Sequence, residues 1–285
     1  MKTLALVVML AVGCSKAKEA EPTPGSASGS GSGSGSAAIV VPPYTPAADV
    51  GKPIADAIAA PDRAVEDRAL DAGRKPGEVL AYFKVAPGQR ILGLYSGGGY
   101  TTELLRRTVG DAGTIYAQNT KEILEKYARK PWVARAAKPV MAGVVAVERP
   151  IDDPFPPEAK DLDAVITILN YHDTVPMKAD RPKMNKAIFD ALKPGGVYGI
   201  VDHSAAADSG TRDCEALHRI DEAVVKQEVL AAGFVLDGES PVLKNPDDKR
   251  DWNASPRKAG EKRGTSDRFT LRFIRPAAAA APAAK

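Results

Sequence analysis

Residues 89–103 read Gln-Arg-Ile-Leu-Gly-Leu-Tyr-Ser-Gly-Gly-Gly-Tyr-Thr-Thr-Glu, and they constrain the fold more than any other stretch of the chain. A short apolar run from Ile91 to Leu94 enters a glycine turn at Gly97, Gly98 and Gly99. A helix-compatible stretch, Thr101 to Thr108, follows directly. The order is strand, tight turn, helix start. Glycine accepts positive φ, and without a Cβ it lets a ligand lie against the backbone. The helix beyond supplies free N–H groups and the positive end of a dipole. Nucleotide-type sites in α/β folds are built this way. On its own, a glycine triplet is equally compatible with a plain tight turn in an α/β domain.

The N-terminus carries a second signal. Met1-Lys2 is short and basic, and Leu4 to Val12 is apolar but too short for a permanent membrane span. It ends Leu10-Ala11-Val12-Gly13-Cys14, which resembles a bacterial lipoprotein signal, with Ala11 where that pattern more often has Leu. The resemblance implies cleavage before Cys14, lipidation of that residue, and a domain anchored to a membrane of the cell envelope. Ordinary signal cleavage that leaves Cys14 as a free thiol is the alternative. Residues 15–46 read as a disordered linker, almost pure Gly-Ser over 25–36 and Pro-rich from Val41 to Pro46. Residues 276–285 read as a disordered Ala-Pro tail.

Residues 47–275 remain, a common size for one domain. Lys and Arg number 39 against 36 Asp and Glu, a formal net charge of +3, with no basic face interleaved with aromatics. Nucleic acid is therefore not indicated as a partner. Cys214 is the one cysteine besides Cys14, so no disulfide forms within the domain and its stability comes from the core.

Along this domain, helical and strand-like segments alternate. Residues 47–85 read as helical. Strands are predicted at Ile91 to Leu94, Thr114 to Ala117, Val140 to Val147, Leu162 to Leu169, Val197 to Val201, Phe234 to Glu239 and Phe269 to Ile274. Helices are predicted at Tyr100 to Val109, Thr120 to Lys130, Lys183 to Leu192 and, as one long element, Asp213 to Ala232. The near-continuous apolar run 162–169 suits a strand buried on both faces of a parallel sheet. The alternation predicts an α/β sheet with helices on both faces.

This order resembles class I S-adenosylmethionine-dependent methyltransferases. The resemblance is carried by Ser96-Gly97-Gly98-Gly99 after the first strand, Leu192-Lys193-Pro194-Gly195-Gly196 before the fifth, Ala231-Ala232-Gly233-Phe234 before the sixth, and the terminal strand pair. Asn170-Tyr171-His172-Asp173 and Leu217-His218-Arg219-Ile220-Asp221 further resemble a bacterial group of predicted methyltransferases, often secreted. The resemblance implies a Rossmann-like seven-stranded sandwich whose last strand is antiparallel. It also implies S-adenosylmethionine as cofactor and a small-molecule methyl acceptor. Cofactor contacts carry over to Ser96, Gly97, Gly98, Gly99, Asn119 and Asn170, with the adenine near residues 149–153. The sequence departs from the family at Gly93, where an acid is usual, at Tyr95, where Gly is usual, and at Gln118-Asn119, where an acid usually holds the ribose. Asn119 still offers a ribose hydroxyl a neutral hydrogen bond, worth about 1 kcal/mol against about 1.5–3 for a charge-assisted one.

The chain has three histidines, His172, His203 and His218, and the first two follow strand ends with an adjacent Asp. Imidazole can take a proton from a methyl acceptor, so His172 is the candidate base, with Asp173 orienting it. His203 reads equally as a structural hydrogen-bonder, and His218 as a helical residue paired with Asp221. Three histidines with nearby Asp also admit a Zn²⁺ or Fe²⁺ site, although no His-x-x-x-His spacing supports one. Residues 245–252 read as an exposed connection, or as a lid that touches substrate through Trp252. Three functions follow: a methyltransferase, an envelope-anchored binding module of the same fold with weak or no transfer activity, and a metal-dependent envelope enzyme.

Overall fold

The computed structural model describes residue 39 and residues 41–277. The signal segment with Cys14, most of the linker and the end of the tail lie outside the described residues. The helices α1 (Lys52–Ala59), α2 (Val65–Arg74) and α3 (Pro76–Tyr82) precede the sheet. Strand β1 (Arg90–Leu94) leads through the glycine turn into α4 (Tyr100–Val109), and β2 (Thr114–Asn119) follows. The next helical stretch is α5 (Lys121–Ile123), a π-helical turn (Leu124–Ala128) and α6 (Arg129–Ala136). Then come β3 (Val145–Glu148), β4 (Leu162–Ile168), α7 (Arg181–Ala191), β5 (Leu192–His203), α8 (Cys214–Leu217), α9 (Glu222–Ala231), β6 (Val235–Glu239) and β7 (Arg268–Ile274).

The strands form one seven-stranded sheet in the order β3-β2-β1-β4-β5-β7-β6. The pairs β1–β2, β1–β4, β2–β3 and β4–β5 are parallel, and β7 runs antiparallel to both β5 and β6. Strand side chains alternate between the two faces. On β1, Ile91 joins the core beneath α1, α3 and α4, while Leu92 joins the opposite core beneath α7 and α9. Both are fully buried, and burial of such a side chain contributes about 1.5–3 kcal/mol.

The structure corrects four predicted boundaries. The third strand is only Val145–Glu148, because Pro139 opens a 3₁₀ turn (Pro139–Met141) and Gly143, at φ +82°, turns the chain before pairing begins. The helix after β2 runs past Lys130 to Ala136 through the π-helical turn, with Thr120 as its N-cap. The long helix 213–232 is two helices, broken where His218 adopts a left-handed conformation (φ 51°, ψ 52°). The folded body also starts earlier than residue 47. The Tyr44 hydroxyl donates to Glu78 (2.6 Å) and accepts from the Gly77 N–H (2.8 Å), which ties this end of the linker to α3.

Candidate functional site

The glycine turn caps the central strand of the parallel set, opposite the carboxyl end of β4. Gly97 and Gly99 both have positive φ, +55° and +83°. The glycines face different surroundings. A Cβ on Gly97 would meet nothing within 4 Å, whereas one on Gly98 would stand 3.2 Å from the Pro131 ring. One on Gly99 would stand 2.7 Å from the Arg135 side chain and 3.1 Å from Trp132. Gly97 therefore presents open backbone, while Gly98 and Gly99 are glycines because α6 packs against them. Arg135 fastens that packing: its Nε donates to the Gly98 carbonyl (2.6 Å), and its guanidinium pairs with Asp67 (2.7 Å) and Glu103.

The end of β2 serves the turn from inside. Gln118 is fully buried; its Oε1 accepts from the Tyr95 N–H (3.0 Å) and its Nε2 donates to the Arg149 carbonyl (2.8 Å). Asn119 clamps Gly97, accepting from its N–H (2.8 Å) and donating to its carbonyl (3.3 Å). Both amides of Gln118-Asn119 thus bond backbone, and Asn119 keeps one Nδ2 hydrogen and one Oδ1 lone pair beyond its clamp on Gly97. Ser96 donates back to the Gly93 carbonyl (3.0 Å). Glu103 is equally committed, to Arg107, Arg135 and Lys138; burial alone would raise its pKa, but these cations outweigh burial and lower it.

The three histidines, dispersed in sequence, come together beyond β4 and β5. His172 is buried, with Nδ1 2.7 Å from Asp202 Oδ1, and its backbone N–H donates to Asp202 Oδ2 (2.7 Å). Its Nε2 lies 3.1 Å from His218 Nδ1 and 3.3 Å from Asp173 Oδ1. The His203 ring sits 5.9 Å away and bonds Ser266 Oγ through Nδ1 (2.7 Å). Asn170 donates to Asp173 Oδ2 (3.4 Å).

Two assigned roles change here. Asp202, at the end of β5, holds His172 at Nδ1 and at its backbone N–H, while the adjacent Asp173 meets the other ring nitrogen, Nε2. The ring is also a poor base: burial opposes its charge, but Asp202 and Asp173 outweigh burial and hold its pKa at about 10. Protonated at neutral pH, it has no lone pair to accept a proton. His203 goes the other way, driven far below its usual value by burial and by the charged His172.

Sequence reasoning missed what holds His218 in place. Arg219, fully buried, pairs with Asp248 (2.8 Å), donates to the carbonyls of Ser204 (3.0 Å) and Trp252 (3.1 Å), and stacks on the Trp252 ring (4.7 Å). Residues 248–252 are therefore a latch on the His218 turn, and the side chain of Trp252 is occupied there. Arg219 stands among other charged residues (Asp213, Glu215, Asp221, Glu222), so its burial had no signal in the sequence. Arg74 was also missed. It meets no carboxylate among the described residues, stacks on Tyr100 (4.4 Å), and with Tyr100, Thr101, Leu169 and Arg268 lines a largely apolar cleft of about 20 Å³ at the first turn of α4.

This fold matches solved structures that include methyltransferases. A putative sarcosine dimethylglycine methyltransferase from Galdieria sulphuraria superposes with a TM-score of 0.53 at 16% identity, covering 79% of this chain and 91% of its own. A SAM-dependent methyltransferase from Aquifex aeolicus gives 0.50 at 16% identity, over 70% of this chain and 88% of its own. The fold is the Rossmann-like sandwich of class I methyltransferases. The cyclase SpnF shares it too, with a TM-score of 0.52 at 14% identity over 79% of this chain and 92% of its own. No protein-family model matches the sequence, and no curated protein does.

Proposed function

We propose that the protein is an S-adenosylmethionine-dependent methyltransferase acting on a small molecule. The observation that carries this reading is the sheet order with its antiparallel β7, combined with a glycine turn at the carboxyl end of β1 whose Gly97 faces open space. Ligands of open α/β sheets bind outside those strand ends, where the strand order reverses. The residues present fit the amino-acid end of the cofactor. The first-turn N–H groups of α4 have no helical partners, and Arg74 beside them meets no carboxylate among the described residues. Together they suit a carboxylate. When bound, the cofactor supplies the methyl group; Gly97, α4 and Arg74 hold and orient it. Calorimetric titration of the purified protein with S-adenosylmethionine tests the reading, which fails if no binding is measured at millimolar ligand.

One observation favours the binding-module alternative. Asn119 clamps Gly97 and is neutral, so a ribose at this strand end would lack the carboxylate that the family's acid provides. SpnF shows that the fold also hosts other chemistry. Saturable cofactor binding with no transfer to any acceptor tried would support this second reading.

We also propose that the chain is anchored through a lipid on Cys14, the residue that ends the signal-like segment. Cys14→Ala is expected to leave an unlipidated precursor, and labelled fatty acid entering mutant and wild type equally would overturn the proposal.

A further inference from the structure

We propose that His172 Nε2, His218 Nδ1 and Asp173 Oδ1 bind a divalent transition-metal ion of the zinc or iron(II) class. These three atoms stand 3.1, 3.3 and 3.5 Å apart. Nitrogen and carboxylate ligands lie about 2.0–2.2 Å from zinc, so neighbouring donors of a tetrahedral shell are about 3.3–3.5 Å apart. A triangle of the observed size therefore accepts an ion at bonding distance from all three corners. Two imidazoles and one carboxylate form a donor set that suits zinc and iron(II) and leaves coordination positions open.

The surrounding structure supplies what such ligands need. A metal-bound histidine usually gives its other ring N–H to a carboxylate, which fixes the tautomer. Asp202, fully buried, takes that place at His172 Nδ1, so Nε2 is the ring atom that faces the triangle, and an ion binding there would displace the proton the metal-free ring carries. Asn170 occupies Asp173 Oδ2 and leaves Oδ1 to the cluster. His218 stands in the triangle on a left-handed backbone, a conformation sparsely populated by non-glycine residues. The buried Arg219–Asp248 pair holds the adjoining backbone in place. The His172 side chain is 3% exposed, but His218 and Asp173 are 32% and 24% exposed, so an ion and an exchangeable ligand have a path in. The site does not depend on whether the glycine turn holds a cofactor.

The test uses full-length protein without a histidine tag, stripped by chelator and titrated separately with Zn²⁺, Fe²⁺ and Co²⁺. One equivalent of metal is expected, with visible Co²⁺ bands of a four- or five-coordinate site. His218→Asn keeps a residue that tolerates the left-handed backbone, and it should lower affinity at least tenfold without moving the melting temperature of the metal-free protein. Asp202→Asn should lower affinity about 10–100-fold. Substoichiometric metal in the wild type, or equal affinity in wild type and His218→Asn, would overturn the site. Retained S-adenosylmethionine binding in these variants would show that the outcome concerns the metal alone.

Discussion

The turn after β1 takes Ser96, Gly97, Gly98 and Gly99 from adjacent positions, whereas the cluster beyond β4 and β5 joins His172 to His218 across 46 residues. The two also differ in how their polar groups are used. At the turn, backbone and side chains satisfy one another: Asn119 closes on Gly97 and Arg135 on Gly98, and the open surface is the Cα of Gly97. At the cluster, ring nitrogens and a carboxylate converge on one point and are held there by outer residues. Such a turn receives a ligand mainly by shape and by helix N–H groups. A convergent cluster offers lone pairs. The contrast separates a surface on which a molecule lies from a site at which an atom is held.

The largest expected effect lies under the cluster. Arg219→Met leaves Asp248 as a buried, unpaired charge, and breaking such a pair costs about 3–5 kcal/mol. A chemical-denaturation midpoint should fall accordingly, and the His218 turn should become the first segment to exchange amide hydrogens. Unchanged stability would mean that the cluster needs no latch and would remove the contrast with the turn.

A smaller effect divides the glycines. Gly99→Ala meets Arg135 and Trp132 at positive φ, so overpacking of about 1–3 kcal/mol adds to backbone strain. Gly97→Ala meets only the strain, about 1–2 kcal/mol. Cofactor affinity, by contrast, should respond more to Gly97, whose added methyl group enters the open space. Equal stability losses in the two variants would contradict the assignment of one face to packing and the other to a ligand.

The turn was readable in advance because everything that forms it is local: an apolar run, glycines, a helix start. The sheet was readable for the same reason, since apolar runs such as 162–169 announce buried parallel strands. The cluster was readable only as three histidines with nearby Asp; its geometry was not, because each histidine sits in a different segment and the carboxylate on His172 Nδ1 is Asp202, whose neighbour in sequence is His203. The break at His218 was hidden too. Residues 213–232 suit a helix locally, and only the pairing of Ile220 with Ser204 and the buried Arg219 override that preference.

Acid provides a smaller perturbation, read on the turn side through Glu103. Glu103 binds Arg107, Arg135 and Lys138, and its pKa is lowered in the folded state. A depressed carboxylate contributes stability above its unfolded pKa of about 4.3 and loses it as pH falls toward the folded value. The melting temperature of the wild type should therefore drop below about pH 4.3, and that of Glu103→Gln should drop less steeply over the same interval. Parallel curves would show that Glu103 does not hold α6 against the glycine turn.

The smallest effect sharpens the comparison most. Asn119→Asp restores an acid at the end of β2. The carboxylate can still accept from the Gly97 N–H, but it gives up the long bond from Asn119 Nδ2 to the Gly97 carbonyl and places a charge beside that oxygen. Stability should fall by only about 0.5–1.5 kcal/mol, the worth of one neutral hydrogen bond. Cofactor affinity is the informative readout. If a ribose reaches this strand end, the new carboxylate offers a charge-assisted bond about twice as strong as a neutral one, and affinity should rise severalfold. If affinity falls along with stability, Asn119 acts only as a clamp on Gly97. In that case the ribose does not meet this strand end, and the turn is tuned to its own backbone rather than to a nucleoside.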